Sequence, residues 1–187
     1  TGVCLSRGRR QALVDLASRF DVPVLEDDYV GDLRYDGHDL PALKTLDVHG
    51  GVIYVRTFSK MLMPGLRVGF ILAQGPVLRR LEACKRVTDL ASSSLIQRAL
   101  EAYITVGRYH AQLRRACRTY RRRRDRMLTA LADRLPGGVR WQLPAGGHFV
   151  WLELPSSLSS AGVARRAAEQ GVALVPSARF FIDGRDH

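Results

Sequence analysis

Residues 7–20 carry apolar side chains at helical spacing: Leu13, Leu16, Ala17 and Phe20 recur, with Arg9, Arg10, Asp15 and Arg19 mostly between them. The spacing predicts an amphipathic helix. Asp21-Val22-Pro23 ends it, because proline cannot continue a helix. The short apolar run from Val22 to Asp27 closes in acids and predicts a strand. Residues 30–50 read as a turn, then Pro41, then a short helical piece over Ala42–Leu46. After the Gly50-Gly51 break, Val52-Ile53-Tyr54-Val55 is a β-branched strand, apolar on both faces as buried parallel strands tend to be. Val68–Leu72 predicts a third strand. Helices dominate the middle. One spans 76–89 with Val77, Leu78, Leu81 and Cys84 on one side, and a second spans about 92–105. A long one covers about 108–135, with Leu113, Cys117, Tyr120, Met127, Leu131 and Leu135 as its stripe. Beyond Pro136-Gly137-Gly138, strands are expected at Val139–Leu143, Phe149–Leu154 and Val172–Val175, with a helix over Ser159–Glu169. Strands alternating with helices imply an α/β architecture. A change to a smaller α+β unit is expected within the long helix, near residue 120.

Composition narrows the class. The chain has 187 residues, 25% charged and 46% hydrophobic, an ordinary globular mixture that excludes collagen and disorder. No apolar run approaches the roughly 18–20 residues of a membrane span. Thr1-Gly2-Val3-Cys4 has no signal-peptide pattern. Cys4, Cys84 and Cys117 are odd in number and form no CxxC, so the expected setting is reducing and cytoplasmic. The net charge of +11 raises nucleic acid as a partner. Its location argues otherwise, since nine Arg and one Asp lie within residues 108–126 and the rest is close to balanced. The run Arg121–Arg124 turns about 400° around a helix and makes no single stripe. With no recognition helix or interleaved aromatics beside it, a solvated helix is the expectation, paired with acids elsewhere.

Two segments carry candidate chemistry. Glu26-Asp27-Asp28-Tyr29 closes one expected strand. Thr57-Phe58-Ser59-Lys60 and Pro64-Gly65-Leu66-Arg67 follow the next. In open α/β sheets, ligands sit outside the carboxyl ends of strands. Asp27 and Tyr29 are two apart, so on an extended backbone they share a face, as do Thr57 and Ser59. Thr57, Ser59 and Arg67 suit an anion, most simply a phosphate. Lys60 is then a candidate nucleophile and Asp27 a buried acid. Glu26 and Asp28 fit structural hydrogen bonds better than chemistry. No His or third acid stands at ligand spacing, so no metal is expected.

The stretch EDDYVGDLRYDG…LPALKTLD…GGVIYVRTFSKMLMPGLRVGF resembles fold type I pyridoxal-phosphate (PLP) enzymes, the class I/II aminotransferases. Within them it is most similar to the aminotransferase-like domain of MocR regulators of the GntR family, whose EDDY lacks an extra residue before Tyr. LIQRALEAYI, YRRRRDRM, PAGGHFVWLELP and GVALVPSARFF continue the similarity over essentially the whole chain. The resemblance implies a PLP-dependent transferase fold, α/β. Residues 1–120 would be the C-terminal part of the PLP-binding large domain, and 121–187 a partial small domain. It makes Lys60 the lysine that joins the PLP aldehyde and then moves the substrate α-proton. Asp27 would pair with the pyridine nitrogen, Tyr29 with the ring's phenolic oxygen, and Thr57, Ser59 and Arg67 with the phosphate. Gly65 and Gly69 would allow close backbone approach. Gly146-Gly147-His148-Phe149 matches a small-domain loop near the substrate side.

Two positions depart from the pattern. Arg56 replaces the Gly usual before TFSK, and would crowd or charge the phosphate end. Ser177 stands where a Gly commonly follows Pro176. Fold type I chains are about twice this long, so the sequence reads as a fragment with an incomplete site. The ring-stacking aromatic and first phosphate loop are expected upstream, and the carboxylate-gripping Arg downstream. The function expected is the PLP-binding, effector-sensing part of a homodimeric MocR regulator. It would take an amino acid or other amine, and would touch DNA only through a domain outside these residues. A free-standing aminotransferase is the alternative; a nucleic-acid module using the Arg-rich helix is the third.

Overall fold

The computed structural model describes residues 3–37 and 40–183. Contacts divide the chain into two units: Val3–Arg123 with Ala145–Gly147, and Arg124–Pro144 with the segment from His148 onward.

In the first unit, helix α1 (Arg7–Arg19) starts at Ser6, whose hydroxyl accepts from the Arg9 N–H at 3.4 Å. Strands β1 (Val24–Asp28) and β2 (Val52–Thr57) pair in parallel, with Val24 opposite Val52 and Asp28 opposite Arg56. Strand β3 (Gly69–Leu72) returns antiparallel to β2, with Thr57 opposite Gly69. The sheet order is β1-β2-β3. Helices α2 (Gly75–Thr88), α3 (Ser94–Thr105) and α4 (Arg108–Arg134) follow, and α4 runs through the division between the units.

Alternation along the strands gives the sheet two different faces. Val52 and Tyr54 are buried, in phase with half-buried Val24, Glu26 and Asp28 across β1. Val14, Leu43 and Val52 form the cluster beneath, with Val24 and Leu46 packed on it. The other, more open face carries exposed Leu25 and Asp27 on β1 and half-buried Ile53, Val55 and Thr57 on β2, while β3 is exposed on both faces. The stripe expected on α1 is displaced for the same reason. Val14 is its buried residue, while Leu16 and Phe20 face solvent. Val77 and Leu78 on α2 are also exposed. Local periodicity finds an apolar face but not the surface that covers it.

The start of β2 is set by Asp47. Its carboxylate accepts from the backbone N–H groups of Gly50 (2.8 Å), Gly51 (3.1 Å) and Val52 (2.9 Å) and from Lys44 Nζ at 2.9 Å. Burial alone would raise its pKa, but these bonds and the Lys44 charge lower it to about 2. A lowered carboxylate pKa stabilises the fold above the unfolded value and stops doing so as pH falls through the folded one. Asp47→Ala is therefore expected to cost roughly 1–2 kcal/mol at pH 7 after solvent screening. Urea unfolding of wild type and variant should show this gap closing between about pH 4 and pH 2.

Two further clusters anchor the segments after β1 and β2. Leu33, Met61 and Ala116 are buried together, with Tyr35, Leu113, Cys117 and Tyr120 against them. Phe58, Leu100 and Tyr109 form the other, with Leu62, Val68, Tyr103 and Ile104. The loop from Phe58 to Val68 is thus held by α3 and α4. Ala145–Gly147 joins this unit through a bridge between Arg34 and Gly146 and a bond from the Gly147 N–H to Leu33 O at 2.8 Å. A Cβ on Gly146 would lie 2.4 Å from the Leu33 carbonyl oxygen, so only glycine fits this approach.

In the second unit, β4 (Arg140–Trp141) and β5 (Leu152–Glu153) pair antiparallel, each shorter than its apolar run. Helix α5 (Ser160–Glu169) is capped by Ser159, which accepts from the Gly162 N–H at 3.1 Å. Val172–Val175, expected as a strand, is not one. Val172, Leu174 and Val175 are exposed and pair with no strand among the described residues. A β-branched run without a partner has no ladder to join. Ser177 is buried; its N–H donates to Ser160 Oγ at 2.9 Å. It therefore ties the turn after residue 176 to α5. Buried Arg124 donates to Pro144 O at 2.7 Å and pairs with Asp125.

Candidate active site

The site is built from the residues just past β1 and β2. Asp27, expected as a buried acid, is instead exposed: it is the penultimate residue of β1, opposite Val55 on the open face, where no described residue covers it with a bond. Thr57 ends β2, two residues beyond Val55, so alternation puts it on that same face. Tyr29 lies just past the end of β1, 37% exposed. Parallel pairing thus brings the carboxyl ends of β1 and β2 side by side, where α/β sheets present ligand-binding groups.

Beyond β2 the chain turns tightly. The Ser59 N–H donates to Thr57 Oγ1 at 3.1 Å, and the two hydroxyls are 3.0 Å apart. This local turn of a hydroxyl residue onto the backbone two residues on is favoured by the Thr-x-Ser spacing. Lys60 follows, exposed, between buried Phe58 and buried Met61. Its backbone is held on both sides while its amine faces solvent. Arg67 closes the short 3-10 turn Pro64–Leu66 in a left-handed conformation, φ 50°. The Phe58 N–H donates to Val68 O at 3.1 Å, which returns Arg67 to the end of β2 carrying Thr57 and Ser59. Gly69 is required there, because a Cβ would lie 2.5 Å from Arg56 O. A Cβ on Gly65 would meet no atom of the described residues within 4 Å.

The structure brings Thr57 directly onto Ser59 and places Asp27 on their face of the sheet. It shows no hydrogen bond or ion pair from the side chains of Asp27, Lys60 or Arg67 to other described residues. These three charges are uncommitted among the described residues. Glu26 and Asp28 behave as expected, through bonds inside the fold. Glu26 accepts from the Leu43 and Lys44 N–H groups at 2.8 and 3.0 Å, and Asp28 from the Gly31 N–H at 2.7 Å.

Arg56 corrects an expectation. It is opposite Asp28 on the covered face, away from Asp27 and Thr57, so it does not crowd a phosphate beside Thr57. Its guanidinium bonds to Asp32 and to Tyr54 Oη at 3.2 Å. Tyr109 donates to the same Asp32 oxygen at 2.8 Å. Asp32, Tyr54 and Tyr109 escaped sequence reading. Strand parity joins Asp28, Tyr54 and Arg56, whereas Asp32 and Tyr109 are 77 positions apart.

The Arg run on α4 divides its work. Arg121 pairs with Asp36 at 3.0 Å, and Arg123 lies over the Tyr120 ring at 5.1 Å. Among the described residues no metal-holding cluster occurs, and no helix is long and apolar enough to cross a membrane.

Comparisons with known proteins identify the family. The aromatic-amino-acid aminotransferase 1 of Thermococcus litoralis is 39% identical over 180 residues, covering 96% of this chain and 43% of that protein. The uncharacterized HTH-type transcriptional regulator YdfD of Bacillus subtilis is 34% identical over 92% of this chain and 36% of its own length. The crystal structure of Pyrococcus horikoshii kynurenine aminotransferase, in complex with PMP, superposes with a TM-score of 0.91 at 39% identity, covering 97% of this chain and 45% of that one. The chain spans less than half the length of each of these relatives. The family model for aminotransferase class I and II matches residues 1–185, and the chain belongs to that family.

Proposed function

We propose that this chain is the PLP-binding part of a MocR-type transcriptional regulator that senses an amine. Residues 1–120 would belong to the large domain and 121–187 to the small one. One observation carries the reading. An uncommitted Lys60, an uncommitted Asp27 and the Thr57–Ser59 hydroxyl pair stand at the carboxyl ends of adjacent parallel strands. The donor set fits the cofactor. Thr57, Ser59 and Arg67 offer hydroxyls and a cation for its phosphate. Asp27 offers a carboxylate to hold the proton on its ring nitrogen, and Tyr29 a hydroxyl to its phenolic oxygen. The Lys60 amine is free to join its aldehyde and to carry the substrate α-proton. When bound, PLP supplies an electron-accepting ring beside the amine. The PMP complex of the Pyrococcus enzyme supports this choice of cofactor.

Similarity to YdfD and the compact EDDY favour the regulator, a cytoplasmic homodimer reaching DNA through a separate domain. The 39% identity to the Thermococcus enzyme favours the second reading, an aminotransferase passing an amino group from an amino acid to a 2-oxo acid. Sequencing the coding DNA 5′ of the Thr1 codon tests between them. A helix-turn-helix region followed by the rest of a PLP domain is the expected result. A start codon followed only by the PLP region would make the protein an aminotransferase. Titration of the full-length protein with PLP should raise a visible absorption band, and a protein that binds no PLP would refute both.

A further inference from the structure

Three side chains on the covered face of the first sheet, Asp28, Tyr54 and Arg56, join Asp32 and Tyr109 in one connected polar chain. The Asp28 carboxylate accepts from the Gly31 N–H at 2.7 Å and from the Tyr54 hydroxyl at 2.5 Å. Arg56 donates to Tyr54 Oη at 3.2 Å, lies 3.7 Å from Asp28, and is hydrogen bonded and ion paired to Asp32. Tyr109 donates to Asp32 at 2.8 Å. The path crosses β1, the turn after it, β2 and the first turn of α4. The side chains of Asp28, Asp32 and Arg56 are 19%, 21% and 23% exposed, so water screens them little.

Charge states follow from these contacts. Burial by itself would lower the Arg56 pKa, but the bonds to Asp32 and Tyr54 outweigh it and hold it above its ordinary value. Burial, then the bond to Asp28, pushes Tyr54 up to about 12. Burial, then the bond to Asp32, does the same for Tyr109. Both tyrosines stay neutral donors, and one guanidinium serves two carboxylates. Without that cation, Asp28 and Asp32 would repel each other across a poorly solvated space.

Asp28 and Arg56 are register partners, and each is adjacent in sequence to a residue on the open face: Asp27 beside Asp28, Thr57 beside Arg56. In a strand, fixing one side chain fixes the direction of its neighbour on the other face. We propose that Arg56 is a positioning residue: by bridging Asp28 and Asp32 it locks the carboxyl ends of β1 and β2 together, and so sets where Asp27 and Thr57 stand toward the cofactor. The consequence for cofactor binding rests on the proposed function; the locking of the strands does not. Tyr109 extends the lock to α4, which also packs against Phe58 and Met61 on either side of Lys60.

The test uses the full-length protein and the variants Arg56→Met, Arg56→Lys and Tyr109→Phe. Amide hydrogen exchange would be followed at residues 26–32 and 54–59, with β3 as internal reference. PLP affinity and the pH midpoint of its visible band would be followed in parallel. Arg56→Met should speed exchange at Asp27, Asp28 and Thr57 about tenfold relative to β3, weaken PLP about tenfold, and move the band's midpoint. Arg56→Lys should restore most of each effect. If Arg56→Met fails to fold, Tyr109→Phe should show the same pattern more weakly. A folded Arg56→Met or Tyr109→Phe within twofold of wild type in exchange and affinity would overturn the proposal. So would a lower melting temperature with exchange raised evenly everywhere. If the wild type binds no PLP, the proposed function fails, and exchange alone decides the locking role.

Discussion

Borohydride treatment of the full-length protein with PLP is expected to fix a covalent label on Lys60, and Lys60→Ala is expected to remove essentially all of it from these 187 residues. The reason is a comparison among the three lysines of the sequence, Lys44, Lys60 and Lys85. Lys44 Nζ is held by Asp47 at 2.9 Å and by Val52 O at 2.7 Å. Lys85 Nζ is shared between both oxygens of Asp89, each at 2.9 Å. An amine held by such bonds is committed within the fold and is not free to turn toward an aldehyde. Lys60 has no such carboxylate among the described residues. Because Lys60 is exposed, its truncation should change folding stability by no more than about 0.5 kcal/mol. Peptide mapping of the reduced protein checks the result. A label kept in Lys60→Ala, on Lys44 or Lys85, would refute the assignment.

How much of this was legible beforehand depended on the distance between the residues involved. The three strands of the first sheet stood out because each is a β-branched or apolar run bounded by Pro, Gly or acids. Lys60, Thr57 and Ser59 were legible because they lie within four positions, and the turn that brings Thr57 onto Ser59 is local. Alternation gives Asp27 and Tyr29 a common face, but not that Asp27 is exposed there, because exposure depends on what covers the sheet. The polar chain through Asp32, Arg56 and Tyr109 was not legible, since it joins three elements far apart in sequence. Arg56 stands out in the sequence only as a departure from a pattern, which suggests a place at the phosphate end and not its partners. Its parity with Tyr54 and Val52 was available, and Val52 is a core residue. That parity alone would have placed Arg56 on the covered side. Val172–Val175 failed for a different reason. Composition signals strand preference, but a strand exists only where a second one accepts its hydrogen bonds.

Asp27→Ala is expected to slow the half-reaction of the PLP-loaded full-length protein with an amino acid by about a hundredfold or more, against about tenfold for Tyr29→Phe. The two side chains are two positions apart at the end of β1, and they differ in what each holds. A carboxylate paired with the ring nitrogen keeps that nitrogen protonated. Asp27 would thus hold a charge already in place beside the ring nitrogen, with no reorganisation needed during the reaction. Removing it takes away a preorganised charge, whose loss in other enzymes costs roughly 3–4 kcal/mol of barrier. A phenol lends one hydrogen bond to an oxygen, worth about 1–2 kcal/mol. Asp27 makes no competing ion pair among the described residues, so its carboxylate is available for this task. Single-turnover spectroscopy would give the rates, and a PLP titration would show whether occupancy accounts for them. Asp27→Asn sharpens the comparison, because it keeps the size and loses only the charge. It should resemble Asp27→Ala in rate while binding PLP more tightly than that variant. If both Asp27 variants match wild type, or if Tyr29→Phe is the slower protein, the carboxylate does not face the ring nitrogen. The reading of β1 as the strand that carries the electron-sink partner then falls with it.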